Sequence, residues 1–229
     1  MINRIKKQLL NLSLILVLCS CAGLLISRDA RIEFNKGEAL FNQGRYEEAV
    51  PHFQKAAEIE PKYTRAFIYL GRSFLNMWKW TEAIAPLRTA YRLSPEDTKK
   101  EMVNFLLDAL IGGALYEFKK ENYPASIGYL REALGADPES ADAKEELIKS
   151  LIAQGWKLLK EGSAAEAALT FQEALEIAPK NLDAYLGLAR AFLKSGDYSH
   201  AMRIVNDAVK KIAISDQERA PFWDLMREN

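Results

Sequence analysis

The sequence predicts an all-α protein, a right-handed α-solenoid of about five stacked helical hairpins followed by a C-terminal capping helix. Three observations predict this fold. The same residue types recur at an interval of 34 residues, glycines stand where helices should end, and apolar residues are spaced at three and four positions. A single hairpin with this pattern cannot bury both of its faces, so it must stack on its neighbours.

The 34-residue recurrence is clearest between Pro61 and Pro95, each of which closes a segment with the same pattern. The first segment carries Gly37, Gly44, Tyr46, Ala49, Phe53, Ala56 and Pro61, and the second carries Gly71, Trp78, Trp80, Ala83, Leu87, Ala90 and Pro95. The pattern returns at Gly155, Gly162, Ala164, Ala167, Phe171, Ala174 and Pro179, and again from Ala189 to Ala208. Agreement at so many positions excludes chance and indicates a true repeat.

Small residues within the repeat have two predicted roles. Gly44, Gly162 and Gly196 stand where a first helix should end in a left-handed residue. Other small residues are expected where two helices cross closely, because a larger side chain would push the helix axes apart. These crossing positions are Gly37, Gly71, Gly155 and Ala189, with Ala49, Ala83, Ala167 and Ala201 opposite. Prolines 61, 95, 138 and 179 should stop the second helices.

Two repeats are longer than the others. The interval from Pro95 to Pro138 is 43 residues and that from Pro138 to Pro179 is 41, and the added residues are rich in helix formers. A first helix lengthened by about two turns explains both, since seven residues nearly preserve the helical phase. The repeats are expected at about 30–63, 64–97, 98–140, 141–181 and 182–215, with less certain register in the third, and residues 216–229 should form the capping helix.

This pattern resembles the tetratricopeptide repeat (TPR) family over about residues 30 to 215. In a stack of such hairpins the first helices line a concave groove. Among the groove-facing positions of four repeats, seven residues are cationic and two are anionic. We therefore expect the groove to bind a protein segment with acidic and apolar side chains. The expected contact residues are Arg31, Phe34, Arg65, Arg72, Asn76, Trp156, Lys160, Arg190 and Lys194. An equally weighted alternative is that the cations only solvate this face and that Trp156 belongs to the core. The carboxylate clamp of chaperone-binding members is not matched, because Phe34 and Glu38 stand where that clamp has Lys and Asn.

The N-terminus carries a processing pattern. Residues 1–20 contain three cations and no acid, then an apolar run from Leu9 to Leu18, as in a secretory signal peptide. The stretch Leu18-Cys19-Ser20-Cys21 resembles the bacterial lipobox, which implies lipid modification of Cys21, a linker over 21–29 and an anchor in the cell envelope. Ala22 lacks the aspartate that commonly retains lipoproteins in the inner membrane, so the outer membrane, facing the periplasm, is expected. Two alternatives remain: an uncleaved anchor that extends to Ile26, and an ordinary secretory signal.

Composition and spacing exclude several classes of function. Lysine plus arginine number 31 and aspartate plus glutamate number 31, so no strongly basic surface is available for nucleic acid. Two cysteines and two histidines are too few for a disulfide scaffold or a four-ligand zinc site. Asp197, Ser199 and His200 crowd a single turn, where they cannot form a triad, and the aspartate is expected to cap a helix instead. We expect no enzyme activity, no cofactor and no small-molecule substrate.

Three hypotheses about function follow. The first is a membrane-tethered scaffold that positions another protein in a pilus, secretion or outer-membrane complex, as TPR lipoproteins of the envelope do. The second is a peptidoglycan-associated adaptor that recruits a cell-wall enzyme. The third, a cell-wall enzyme, is disfavoured because the sequence offers no catalytic constellation.

Overall fold

The computed structural model of the chain describes residues 26–212 and Ala220, except for the side chains of residues 96–98 and 101. The expected signal peptide and Cys21 lie outside the described residues, and so does the expected capping helix over 216–229, apart from Ala220. Every element within residues 26–212 is an α-helix, so the predicted all-α fold class is confirmed. None of the described helices combines the length and the apolar character that crossing a bilayer requires.

Ten helices follow one another along the described chain, alternating between first and second helices of a hairpin. They are α1 (Arg28–Asn42), α2 (Tyr46–Ile59), α3 (Thr64–Asn76), α4 (Trp80–Leu93), α5 (Glu96–Lys119), α6 (Tyr123–Ala136), α7 (Ala141–Lys160), α8 (Ala164–Ile177), α9 (Leu182–Lys194) and α10 (Tyr198–Ile212). The first helices α5 and α7 have 24 and 20 residues, whereas α3 and α9 have 13 each. The predicted lengthening of these two first helices is confirmed.

The turns that close the hairpins use a left-handed residue in every case. Gly44, Gly162 and Gly196 have φ angles of 76°, 88° and 78°, as the sequence predicts. In the other two turns the same conformation is taken by Trp78 at φ 60° and by Glu121 at φ 57°. These two positions are unusual, because a side chain makes the left-handed region unfavourable.

The chain divides into two compact units, the first ending at Phe105 and the second beginning at Leu106, within α5. In unit 1, α1 packs against α2, α2 against α3 and α3 against α4, and α1 also touches α3. Its core contains the fully buried side chains of Phe34 and Phe53. In unit 2, the helices from α6 to α10 pack each against the next, and α7 also touches α9. The core of this second unit includes one buried cluster around the ring of Phe171 and another between α9 and α10.

Close packing explains the small residues at the helix crossings. A β-carbon added at Gly155 in α7 would lie 2.6 Å from the Phe171 ring, and one added at Gly37 would lie 2.8 Å from Phe53. Such separations are far below ordinary carbon contacts of about 3.5–4.0 Å. The predicted need for a small residue is confirmed at these positions. The neighbour that imposes it is the large side chain of the second helix rather than the alanine expected opposite.

Candidate protein-binding site

Aromatic side chains from α1, α2 and α3 form a continuous cluster in unit 1. The ring of Phe34 lies 5.5 Å from Phe53, 5.0 Å from Tyr63 and 5.3 Å from Tyr69, measured between centroids. Phe41 lies 5.2 Å from Tyr69 in an edge-to-face arrangement. These separations are within the range of favourable aromatic pairs, so the cluster fixes the positions of α1 and α3.

Two arginines of α3 lie over this cluster. The guanidinium carbon of Arg65 is 4.6 Å from the centroid of Phe34, and that of Arg72 is 5.2 Å from the centroids of Phe41, Tyr69 and Phe105 alike. Cations at this distance from a ring face are attracted by its quadrupole. We call Arg65, Arg72 and the rings of Phe41, Tyr69 and Phe105 the arginine–aromatic face.

The two arginines differ in what else they contact. Arg65 donates to Glu38 at 2.9 Å, so part of its charge is already balanced by a carboxylate. Arg72 forms no ion pair with any carboxylate of the described residues, and its side chain is only half-buried. A guanidinium positioned by rings, with no carboxylate partner among the side chains that the structure describes, has N–H donors suited to two-point binding of an incoming carboxylate.

Other predicted contact residues of unit 1 have different environments. Arg31 is exposed on the first turn of α1, and Asn76 is exposed at the end of α3, where its side-chain amide donates to the carbonyl of Arg72 at 2.8 Å. The prediction that Phe34 contacts a partner is wrong, because its side chain is fully buried. Phe34 instead supports Arg65 from beneath, so its contribution to the site is indirect.

In unit 2 the predicted contact residues lie on α7 and α9. Lys160 and Arg190 are exposed. Trp156 is half-buried and packs edge-to-face on Phe171 at 5.4 Å, so the alternative that Trp156 belongs to the core accounts for much of its surface. Lys194 donates to the carbonyl of Leu159 at 3.0 Å, across from α9 to the last turn of α7. The ammonium group of Lys194 is therefore engaged within the fold.

The role of Lys194 recurs one repeat earlier. Lys157 donates to the carbonyl of Glu121 at 3.1 Å, which follows the end of the preceding first helix. The two acceptors are carbonyls at or just after the C-terminus of a first helix, so each lysine links consecutive repeats at that end of the hairpin. Sequence reasoning missed Lys157, although a lysine in the last turn of both α7 and α9 was the signal available.

The predicted excess of positive charge on the first helices is reduced by ion pairing. Lys149, one of the seven cationic positions, lies 2.7 Å from carboxylate oxygens of both Glu145 and Glu146. The hydrogen bonds that Lys149 donates to Glu145, and then to Glu146, raise the pKa of its ammonium group, which keeps it charged and paired. The charge of Lys149 is thus balanced within its own helix.

The residue types of a catalytic triad near the start of α10 have a structural role. The carboxylate of Asp197 accepts from the backbone N–H of His200 at 3.1 Å and from the hydroxyl of Ser199 at 2.9 Å. These bonds, the backbone N–H first, lower the pKa of Asp197. The ring of His200 stacks on Phe192 at 5.2 Å. The interpretation of Asp197 as a helix cap is confirmed.

Within the described part of the chain, no group of three or more histidine, cysteine, aspartate or glutamate side chains is placed to hold a metal ion.

The stacked hairpins place the chain in the class of α-helical repeat proteins. Three family models, each for the tetratricopeptide repeat, match residues 30–63, 112–181 and 158–220, which together make up more than half of the chain. The chain therefore belongs to the tetratricopeptide repeat family, as its sequence pattern suggests.

Several known proteins resemble this chain over part or most of its length. A DnaJ homolog subfamily C member 3 homolog from Dictyostelium discoideum is 24% identical over 174 residues, which cover 75% of this chain and 34% of that protein. The protein O-mannosyl-transferase Tmtc3 of Drosophila melanogaster is 38% identical over 69 residues, which cover 30% of this chain and 8% of the transferase. The chain thus spans about a third or less of these relatives. Among solved structures, a TPR repeats protein from Bacteroides fragilis superposes with a TM-score of 0.59 at 16% identity, covering 89% of this chain and 100% of that one, and it supports the fold.

Proposed function

We propose that this chain is a non-enzymatic, membrane-tethered scaffold of the bacterial cell envelope that binds a partner protein through the first helices of its TPR hairpins. The observation that carries the proposal is the environment of Arg72. Its guanidinium is positioned by three aromatic rings and forms no ion pair with a described carboxylate. A purely structural arginine would be expected to have an acidic partner within the fold.

The chemistry of this face defines the partner. An arginine over aromatic rings offers paired N–H donors for a carboxylate and apolar ring edges beside them, the composition typical of binding hot spots. We infer that the partner presents an extended or helical segment in which an acidic side chain lies next to an apolar one. Arg65, Asn76 and Arg31 lie on the same first helices and extend the surface around Arg72.

The tether and the compartment rest on the sequence. Cys21, in its lipobox-like setting, is proposed to carry the lipid, with the repeats facing the periplasm from the outer membrane. A single acyl chain anchors only marginally, so the several chains of a bacterial lipoprotein are needed for stable attachment. In that position the scaffold serves the assembly of a pilus, secretion or outer-membrane complex.

Charge reversal at Arg72 tests the proposal. Partners are captured from envelope extracts at low salt with three proteins: the full-length lipidated chain, its Arg72→Glu variant and an Arg203→Glu control. The amount of each captured chain is then measured. Arg203 is an exposed cation on the second helix α10, so the control makes the same change in charge on another face. We expect Arg72→Glu to reduce capture of one partner at least tenfold, as loss of a hot-spot residue does, with Arg203→Glu unchanged.

An Arg72→Lys variant refines this test. Lysine keeps the charge but lacks the planar fork, so we expect it to recover only part of the binding. Equal capture by all the variants, with unaltered melting temperatures, contradicts the proposed site.

A further inference from the structure

The turn between α3 and α4 exposes an unusual amount of aromatic surface. Trp78 is 74% exposed and makes an edge-to-face contact with Trp80 at 5.4 Å. With Met77 and the exposed Lys79, these residues form one tip of the first unit. We call residues 77–80 the tryptophan turn.

The backbone of this turn does not require a tryptophan. Trp78 has a φ of 60°, in the left-handed region that disfavours bulky residues, and the corresponding turns use Gly44, Gly162 and Gly196. The hydrogen bond from the N–H of Lys79 to the carbonyl of Phe74, at 2.9 Å, matches that from Arg45 to Leu40, at 3.0 Å, in the glycine turn of the first hairpin. Glycine would therefore form the same turn without strain, which indicates that the side chain of Trp78 serves a purpose outside the fold.

The side chains of the tryptophan turn have the chemistry of the bilayer interface. Tryptophan combines an apolar ring with an N–H donor and is enriched at the headgroup level of membranes. Lys79 forms no ion pair with any residue that the structure describes, and a lysine beside such rings suits anionic headgroups. The turn joins the two helices of a hairpin at one end, and its Trp78 side chain is exposed there, so the ring can enter a surface without a change in the fold.

We propose that the tryptophan turn docks on the surface of an anionic lipid bilayer as a second membrane contact. This inference rests on the membrane tether at Cys21 that the proposed function includes. A tethered chain makes a second contact easily, because the tether raises the local concentration of the tryptophan turn at the bilayer.

The length of the chain permits both contacts at once. The tryptophan turn lies at the C-terminal ends of the first helices, and α1 has 15 residues, or roughly 22 Å. The seven residues from Cys21 to Ser27 span at most about 25 Å when extended. A lipid on Cys21 can therefore reach the plane of the turn at the opposite end of α1.

Quenching of tryptophan fluorescence tests the proposal. The experiment uses the full-length lipidated protein with Trp156→Phe and Trp223→Phe, so that only Trp78 and Trp80 emit. This protein is reconstituted in vesicles of phosphatidylethanolamine and phosphatidylglycerol. The phosphatidylglycerol carries bromine atoms near the headgroup, and matched vesicles lack bromine. We expect at least twofold quenching by the brominated lipid and a blue-shifted emission, with less quenching when Lys79→Glu is introduced. Tryptophan emission of equal intensity in brominated and bromine-free vesicles overturns the proposal.

Two glycine variants separate lipid contact from folding. Trp78→Gly relieves the strained φ and should keep or raise the melting temperature of the chain. In a chain that also carries Cys21→Ser, and so has no lipid, Trp78→Gly should lower the fraction that floats with vesicles at least twofold. Glu121→Gly relieves the equivalent φ at the other non-glycine turn and serves as the matched control, with quenching and flotation unchanged.

The readouts also separate this proposal from the tether. A lipidated chain that floats with vesicles but shows no quenching refutes the tryptophan turn alone. A chain that is neither lipidated nor quenched overturns both proposals, whereas quenching of an unlipidated chain supports the turn and contradicts the tether.

Discussion

Substitution of Gly155 by alanine tests the packing that holds the repeats together. In the interior of a helix this change ordinarily stabilises a protein by up to about 1 kcal/mol, because alanine is the better helix former. At Gly155 the new β-carbon would lie 2.6 Å from the ring of Phe171. Overpacking of a filled core costs about 1–3 kcal/mol. We therefore expect Gly155→Ala to lower the free energy of unfolding by about 1–2 kcal/mol.

The surroundings of Phe171 explain why the ring cannot give way. Phe171 is fully buried, and a β-carbon at Gly187 in α9 would overlap the same ring. The ring is thus held between the backbones of two first helices. Shortening it in a Gly155→Ala/Phe171→Leu double variant should relieve the overlap, so the two changes together should cost less than the sum of the single changes.

Urea denaturation followed by circular dichroism measures these effects. Gly128 in α6 supplies the matched control, because a β-carbon there meets no atom within 4 Å. Gly128→Ala should stabilise the protein by up to about 1 kcal/mol, the opposite sign to Gly155→Ala. If both alanine variants are stabilised alike, the close crossing of α7 with its neighbours is refuted.

Three further predictions concern the cap, the link between repeats and the tether. The pKa of Asp197 is lowered from its ordinary value of 3.8. Its carboxylate therefore stabilises the fold above pH 3.8, and this stabilisation is lost as the pH falls through the folded-state pKa. Asp197→Ala should lower the melting temperature at pH 7, and the difference from wild type should vanish in acid. Lys194→Met removes the donor to the Leu159 carbonyl and should cost about 1 kcal/mol in urea denaturation, whereas Lys210→Met, an exposed lysine of α10, should cost nothing measurable. Cys21→Ser should abolish acylation and release the chain from membranes, as judged by intact mass and fractionation, and attachment that survives the change contradicts lipidation at Cys21.

The hairpins were predictable because each repeat carries its own local instructions. The glycines at 44, 162 and 196 determine turns through their own φ preference, and prolines and lengthened spacings report helix ends without reference to distant contacts. The extended α5 and α7 follow from the same counting of residues. Spacing aligns Trp78 with Gly44, but spacing alone does not reveal that a tryptophan accepts the left-handed conformation.

The candidate site was less predictable, since position in a repeat determines a helix face but not the depth of a side chain. Phe34 shares the face of Arg65, yet the rings of Phe53, Tyr63 and Tyr69 surround and bury it. The rings around Arg72 come from α1, α3 and α5, and Phe105 belongs to the repeat whose register the sequence left uncertain. The engagement of Lys194 likewise depends on a carbonyl 35 residues away, which only tertiary packing brings near.

Site-specific crosslinking measures most directly whether the first helices bind a protein partner. A photoreactive amino acid is placed at Asn76, beside Arg72 on α3, or at Arg203 on α10, and the lipidated protein is irradiated in intact cell envelopes. We predict a discrete adduct with one partner chain from position 76, lost when Arg72→Glu is added, and none from position 203. Adducts of equal yield from both positions, or from position 203 alone, contradict the assignment of binding to the arginine–aromatic face.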